Sequence, residues 1–311
     1  MIIVLFILIE SLLIWLLLQK EVPVPGEDRL NAYTTETDEF RAMNFGDNGL
    51  TQAYRLADSW DTDVYSVLAV RLLENQSIDE DRFRQILCKY EQEKPIEWTK
   101  LINGYRTILA DMKYFPIALD ENGLSGLTYE NGWGDPRTYG GDRLHEGTDI
   151  CDKENVRGSY PIVSMTEGVI EHVGWLEQGG YRIGIRSPHG AYIYYAHLAS
   201  YAREFTVGER VNAGQVLGMM GDTGYSKVEG TTGNFVVHLH LGIYLETDHY
   251  SELSVNPYYI LKYLEKSIVS YTKESYLWYT DHDGKETIDR WKHRHGAEHL
   301  CPMSSRFKNW R

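Results

Sequence analysis

Between residues 162 and 244 the chain consists of short apolar runs separated by glycine-containing turns, and this pattern constrains the fold more than any other feature. The candidate strands include 181–185, 192–195 and 235–244, at the regular spacing that is typical of an antiparallel sandwich or barrel. The helical period of the preceding residues is absent here. We therefore expect an antiparallel all-β domain in this part of the chain.

The last of these candidate strands, residues 235–244, reads FVVHLHLGIY. Alternate side chains of a strand share a face, so His238 and His240 would point away from an apolar row on the other face. That row would consist of Phe235, Val237, Leu239, Leu241 and Ile243. Same-face neighbours lie about 6.5–7 Å apart, which suits one metal ligand beside one residue that acts on the metal's substrate. The alternative is a pair of half-buried histidines that are hydrogen-bonded on a strand face.

A histidine and a carboxylate stand four residues apart in the segment 145–149 (HEGTD), just ahead of the β-rich region. Gly147 between them disfavours a regular helix, so a turn or strand entry could aim both side chains at one point. A catalytic zinc ion needs three nitrogen or oxygen ligands from the protein and an open position for water. His145, Asp149 and one histidine of the 235–244 strand would complete that set.

A further histidine, His197, ends an aromatic strand over residues 192–198 (YIYYAHL), where an ordinary edge-strand residue is the alternative interpretation. Three motifs thus follow one another, H-x-x-x-D, Y-Y-A-H-L and H-L-H-L-G. In this order they resemble the lysostaphin/LytM-type zinc metallopeptidases, which hydrolyse bacterial cell-wall peptides. The resemblance covers about residues 116–264. It extends to the turn segments 208–218, 221–226 and 255–257.

The resemblance implies roles for five residues of this chain. His145, Asp149 and His240 would be the ligands of one zinc ion, and His197 and His238 would face the water and the substrate. The sequence does not divide the general-base and oxyanion-stabilising roles between His197 and His238. The implied function is a zinc-dependent endopeptidase that cuts peptide bonds of bacterial peptidoglycan, at cross-links or bridges. The alternative is a non-catalytic cell-envelope binding or scaffold protein that uses the same groove.

An apolar run of about 17 residues follows Met1, near the lower limit for a helix that spans a bilayer. The residues after it carry no small-residue cleavage site, and no basic segment precedes it. We therefore expect a transmembrane signal anchor over residues 1–20 rather than a cleaved signal, and a weakly ordered linker over 21–48. Because peptidoglycan lies outside the cytoplasmic membrane, we expect a single-pass protein of the cell membrane with an extracytoplasmic catalytic domain.

The remaining pattern predicts an α+β chain in which helical and β-rich parts are separate. Apolar residues recur at helical spacing over 49–114, which predicts a small all-α module that positions, shields or merely spaces the downstream site. The β-rich zinc peptidase domain would span 115–268 and close with a short helix over 258–266. Residues 269–311 form a C-terminal tail whose fold the sequence does not predict.

Charge and cysteine content exclude several other functions. The formal net charge of −14 argues against nucleic acid or an anionic membrane surface as the main partner. Cys88, Cys151 and Cys301 form no C-x-x-C pair, so a thiolate zinc site and thioredoxin-like redox chemistry are poorly supported. The expected partners are a peptidoglycan peptide as substrate and the membrane through residues 1–20.

Overall fold

The structure, a computed structural model, describes residues 29–74, 79–120, 123–139 and 141–271. The signal anchor expected over residues 1–20 lies outside this part of the chain, as do residues 21–28 of the expected linker and 272–311 of the tail. In the described part, no helix is both long enough and apolar enough to cross a membrane.

A helical module precedes the β-rich domain, as expected. A short 3-10 helix, Thr34–Glu36, leads into the α-helices α1 (Asp38–Arg41), α2 (Gly49–Ser59), α3 (Val64–Glu74), α4 (Glu80–Glu93) and α5 (Pro95–Leu109). Helix α4 begins where the Asp79 side chain accepts a hydrogen bond from the Arg82 N–H, and α5 begins with Pro95 in its first turn. Helices α2 to α5 all lie within the 49–114 segment predicted to be helical.

Residues 29–48 are folded onto this module, so the expectation of a weakly ordered linker is wrong for them. The side chains of Leu30 and Phe40 are fully buried, and the Phe40 ring lies 4.8 Å from the Tyr105 ring of α5. Gly104 permits the close approach, because a Cβ there would lie 2.8 Å from Thr35 Cγ2. Isolated large apolar residues carry this packing without any helical period, which is why the sequence pattern did not show it.

The β-rich domain contains one large antiparallel sheet. In the described residues the strands are β1 (Leu127–Tyr129), β2 (Pro136–Arg137), β3 (Arg143–Leu144), β4 (Thr148–Asp152), β5 (Pro161–Val163), β6 (Gly168–Leu176), β7 (Gly180–Arg186), β8 (Tyr192–Tyr201), β9 (Arg210–Val211), β10 (Val216–Met220), β11 (His238–Leu245) and β12 (Leu253–Val255). The sheet order is β1-β4-β11-β8-β7-β6-β9, with β10 on β5 and β8, and β12 on β11. Strands β2 and β3 form a separate hairpin. The predicted antiparallel architecture is confirmed.

One face of the sheet is apolar and is covered by the helices. Its central strands contribute fully buried side chains at Ile183, Ile185, Ile193, Tyr195, Leu239, Leu241 and Ile243. Helix α5 packs against β11, and the buried residues of the module and the sheet form one continuous core. Helix α6 (Tyr258–Leu264) closes the domain near α2, where the sequence predicted a short helix. Because this face holds the core, the opposite face is available for polar side chains.

Strand β11 begins at His238, three residues later than the predicted strand, and Phe235 does not belong to the apolar row. The Phe235 ring lies 4.5 Å from the His197 ring and 5.1 Å from the His238 ring, on the polar side of the sheet. The other members of the row, from Val237 onward, are buried as predicted. The prediction failed at Phe235 because strict alternation applies only within the strand.

Candidate metal centre

His145, Asp149 and His240 come together on the polar face of the sheet. Strand β4 pairs with β11 so that Asp149 lies directly opposite His240, and His145 lies in the segment that enters β4. His145 Nε2, Asp149 Oδ1 and His240 Nδ1 form a triangle with edges of 3.0, 2.9 and 3.0 Å. A tetrahedral zinc ion with ligand distances of about 2.0–2.2 Å holds its donors about 3.3–3.6 Å apart. A small outward movement of the three donors would therefore fit zinc.

His145, which precedes β4, and Asp149, which lies in β4, each make a further contact through the side-chain atom that does not face the triangle. Gly132 O lies 2.9 Å from His145 Nδ1, which leaves His145 Nε2 as the atom directed at the triangle. Arg137 Nη2 donates to Asp149 Oδ2 at 3.1 Å and leaves Asp149 Oδ1 for the triangle. Such outer contacts orient metal ligands and strengthen metal binding. Sequence reasoning missed Arg137, because a single arginine in a short hairpin carries no periodic or motif signal.

The charge state of the group also suits a metal ion. Burial by itself raises the pKa of Asp149, but hydrogen bonds with His145 and His240 hold that pKa well below its usual range. Burial lowers the pKa of His240, against the opposing effect of the Asp149 carboxylate. An ionised carboxylate and neutral imidazoles are the forms that bind a metal.

Gly147 is required by close packing within the site. A Cβ at this position would lie 2.9 Å from His240 Nε2 and would overlap the carbonyl oxygen of Leu241. The sequence drew attention to Gly147 as a residue that disfavours helix, whereas the structure shows that its lack of a side chain admits the His240 ring.

His197 reaches the polar face through a bulge in β8. From the pair Tyr181↔Leu198 to the pair Ile183↔Tyr195, strand β7 advances two residues (183 − 181) while β8 advances three (198 − 195). His197 has a φ of 63°, in the left-handed region, which costs a non-glycine residue about 1–2 kcal/mol. Strict alternation would place His197 beside Tyr195 on the core side, so the bulge redirects its imidazole.

The rings of His197 and His238 lie side by side next to the triangle, with centroids 4.7 Å apart. His197 Nδ1 lies 2.7 Å from Thr223 O, and His238 Nδ1 lies 2.7 Å from Val236 O. Each contact leaves Nε2 as the functional atom, and His238 Nε2 lies 3.7 Å from Asp149 Oδ1. Burial lowers the pKa of His197 well below its usual value, and the neighbouring histidines lower it further. A neutral His197 can accept a proton.

A cleft opens over these five residues, and all the side chains that line it fall between residues 137 and 252. Besides the histidines and Asp149, it is lined by Arg143, Arg182, Tyr192, Tyr194, Tyr225 and Glu252, among others. Tyr225 stacks on Tyr139 with ring centroids 4.1 Å apart, and Arg143 Nη2 donates to the Tyr225 hydroxyl at 3.3 Å. Glu146, between the expected ligands, is exposed.

Comparisons with known proteins give consistent matches. The model of peptidase family M23 matches residues 143–257. The L-Ala–D-Glu endopeptidase of Bacillus subtilis (strain 168) is 36% identical over 211 residues, which are 66% of this chain and 61% of that protein. The glycyl-glycine endopeptidase ALE-1 of Staphylococcus capitis is 38% identical over 68 residues, 21% of this chain and 18% of that protein. The present chain thus spans less than two thirds of either curated relative.

Among solved structures, the protein of Ruminococcus gnavus ATCC 29149 that is named glycyl-glycine endopeptidase LytM is similar with a TM-score of 0.68 and 38% sequence identity. The match covers 80% of this chain and 99% of that chain. It is longer than the segment 143–257, so the likeness extends beyond the peptidase segment.

Proposed function

The chain belongs to peptidase family M23, and from that premise we propose that it is a zinc-dependent endopeptidase that hydrolyses peptide bonds of bacterial peptidoglycan. The family is zinc-dependent, and its relatives named above are endopeptidases. The single observation that carries the proposal is the triangle of donor atoms from His145, Asp149 and His240, which lies at the base of an open cleft. The alternative, a non-catalytic scaffold protein, is not favoured, because the five expected site residues are all present and converge.

The five site residues divide into metal ligands and residues that transfer protons. His145, Asp149 and His240 would hold zinc, which supplies a Lewis acid and a water whose pKa is lowered toward about 7. His197, whose Nε2 is free because Nδ1 donates to Thr223 O, would be the residue that takes up a proton at the site. His238 Nε2 lies beside the triangle and carries no proton while Nδ1 donates to Val236 O, so His238 would donate to the oxygen of the scissile carbonyl only after it has taken up a proton as imidazolium. The carbonyl oxygens that accept from the two Nδ1 atoms hold both rings in place.

The substrate is proposed to be a stem peptide with an acidic residue beside the scissile bond. The longer of the two curated matches is to an L-Ala–D-Glu endopeptidase, and the shorter is to a glycyl-glycine endopeptidase. The stem-peptide proposal rests on the curated match over 66% of this chain. A glycine bridge is the second candidate, because the Ruminococcus gnavus LytM structure, which matches 80% of this chain, is named a glycyl-glycine endopeptidase.

The helical module, together with the segment 29–48 that packs on it, is proposed to support the peptidase domain rather than to inhibit it. Arg41 of α1 donates to Ser254 O at 3.0 Å and lies over the Trp133 ring, close to the segment that contacts His145. In the described residues no side chain of the module lines the cleft. The module would therefore stabilise the segment that contacts His145 without entering the cleft.

An anchor over residues 1–20 and an extracytoplasmic catalytic domain are supported by the apolar run of the sequence and by the place where peptidoglycan occurs.

Digestion of purified peptidoglycan tests the proposed function. The zinc-loaded protein should release new amino and carboxyl termini that mass spectrometry of the products identifies, a chelator should stop the release, and added zinc should restore it. Zinc-loaded protein that leaves both intact peptidoglycan and isolated muropeptides uncut would overturn the proposal.

A further inference from the structure

The cleft contains an arginine that has no acidic partner among the described residues. Arg182 of β7 lines the cleft and is partly exposed, and its Nη1 atom is buried without a hydrogen-bond partner in this part of the chain. An enclosed guanidinium nitrogen without an acceptor costs free energy. The described residues therefore supply no acceptor for Arg182 Nη1, and a group bound in the cleft could supply one.

The next outward-facing arginine of the same strand is different. Arg186 forms two hydrogen bonds with Glu171, Nε to Oε1 at 2.9 Å and Nη2 to Oε2 at 2.8 Å, and it does not line the cleft. Arg143 of the same cleft also has no carboxylate partner among the described residues, but its guanidinium donates to Tyr139 O and to the Tyr225 hydroxyl. Glu252 lines the same cleft but is not within 4.0 Å of Arg182.

Two tyrosine hydroxyls lie on either side of Arg182. A Cβ added at Gly179 would overlap the hydroxyl of Tyr194, and a Cβ added at Gly184 would overlap the hydroxyl of Tyr192. The rings of Tyr192 and Tyr194 therefore both lie over β7, one on each side of Arg182 along the strand. Burial raises the pKa of Tyr194, and the positive charge of Arg182 opposes that rise, as expected for a guanidinium close to the ring. The two hydroxyls and the guanidinium form a donor-rich pocket.

This pocket lies within reach of the metal centre. Ala196 pairs with His240, which pairs with Asp149, and Arg182 lies on the strand at the other side of Ala196. Adjacent strands are about 4.8 Å apart, so the backbones of β7 and β11 are separated by about 10 Å. The arginine side chain and one or two substrate residues of about 3.3 Å each cover that distance.

We propose that Arg182 binds a free carboxylate of the substrate, one or two residues from the scissile bond, and thereby selects peptides that carry this negative charge. The inference rests on the proposed peptidase function and adds a specificity-determining residue to it. A guanidinium can bind a carboxylate through two parallel hydrogen bonds, which a carboxamide of the same size cannot accept.

Two synthetic stem peptides that differ only in this group, carboxylate or carboxamide, test the inference with the full-length zinc-loaded protein. The unmodified protein should cleave the carboxylate peptide with a kcat/KM about 10- to 100-fold higher, as expected for charge-assisted hydrogen bonds. Arg182→Gln should lose this advantage on the carboxylate peptide and leave the carboxamide peptide within about twofold. Arg182→Lys keeps the positive charge but cannot form two parallel hydrogen bonds, so it should retain part of the preference.

Arg210→Gln is the matched control, because it removes a positive charge from an exposed position of the same sheet outside the cleft, and it should keep the full preference. Thermal unfolding and zinc content should be compared for all variants. The inference would be overturned if Arg182→Gln lowered kcat/KM equally for both peptides. It would also be overturned if the unmodified protein cleaved both peptides with the same kcat/KM.

Failure of the proposed function has a different signature. In that case the unmodified protein would cut neither peptide and no intact peptidoglycan. The dissociation constants of the two peptides still test Arg182. The unmodified protein should bind the carboxylate peptide more tightly than the carboxamide peptide. Arg182→Gln should bind the two peptides equally. Equal dissociation constants in the unmodified protein would contradict the role of Arg182.

Discussion

Asp149 and His240 face each other across the adjacent antiparallel strands β4 and β11, with Asp149 Oδ1 2.9 Å from His240 Nδ1. The same register places Cys151, not a carboxylate, opposite His238. Two histidines that look equivalent in the sequence therefore have different neighbours. His240 completes the donor triangle, and His238 lies beside it with Nε2 directed at the site.

Arg137 should strengthen zinc binding through Asp149, because its guanidinium fixes the oxygen that the triangle does not use. We expect Arg137→Met to weaken zinc affinity by about 10- to 100-fold, the usual effect of losing an outer contact to a metal ligand. Competition with a chromophoric chelator measures the affinity. Arg143→Met is the control, because Arg143 contacts Tyr139 and Tyr225 rather than a ligand, and it should bind zinc normally.

A methyl group at position 147 should displace His240. Gly147→Ala places a Cβ against the His240 ring and the backbone of β11, and overpacking of this kind costs about 1–3 kcal/mol. Both the free energy of unfolding and the zinc content should fall. Gly49→Ala at the start of α2, where the nearest atom to the added Cβ is Phe45 Cβ at 3.2 Å, should leave zinc content unchanged. Normal zinc content in Gly147→Ala would count against the described packing.

Removal of metal should lower the thermal stability of the protein. A ligand that binds only the folded state at 100 times its dissociation constant stabilises that state by about 2.7 kcal/mol. We therefore expect a chelator to lower the Tm by several degrees and zinc to restore it. The Tm of His240→Ala should not respond to the chelator. A response of the same size in His240→Ala would place the metal elsewhere.

The segment 29–48 should contribute to the stability of the whole protein. Phe40 is fully buried against Tyr105, so Phe40→Ala should lower the free energy of unfolding by about 3–5 kcal/mol. Tyr33→Ala, in the same segment but 46% exposed, should have an effect within about 0.5 kcal/mol. Urea unfolding monitored by circular dichroism separates the two. If both substitutions lowered the free energy of unfolding by the same small amount, residues 29–48 would be a weakly ordered linker.

Local patterns were sufficient to predict the antiparallel strands and the helical module, whereas the convergence of the five site residues was implied by the resemblance to the lysostaphin/LytM-type peptidases. Period-two alternation placed His238 and His240 on one face of a strand, and the H-x-x-x-D spacing placed His145 and Asp149 together. The structure brings these four residues and His197 into one cluster. Their chemical roles stay predictions, and so does the membrane anchor over residues 1–20.

Features that depend on contacts between distant segments could not be predicted in this way. The left-handed backbone of His197 arises from a mismatch between β7 and β8 that no single strand encodes. Arg137 and Arg182 are single arginines whose importance follows from what surrounds them in space. Phe235 was assigned to the core because alternation was extended beyond the strand in which it holds.

The central claim is that His240 holds zinc while the neighbouring His238 acts on the substrate. It is tested most directly by the zinc content and the peptidoglycan hydrolysis of His240→Ala and His238→Ala, purified in the same way. We expect His240→Ala to lose both zinc and hydrolysis, and His238→Ala to keep stoichiometric zinc while its hydrolysis falls by about 100-fold or more. Two variants that both keep zinc and activity, or a His238→Ala variant that loses its zinc, would contradict this division of roles.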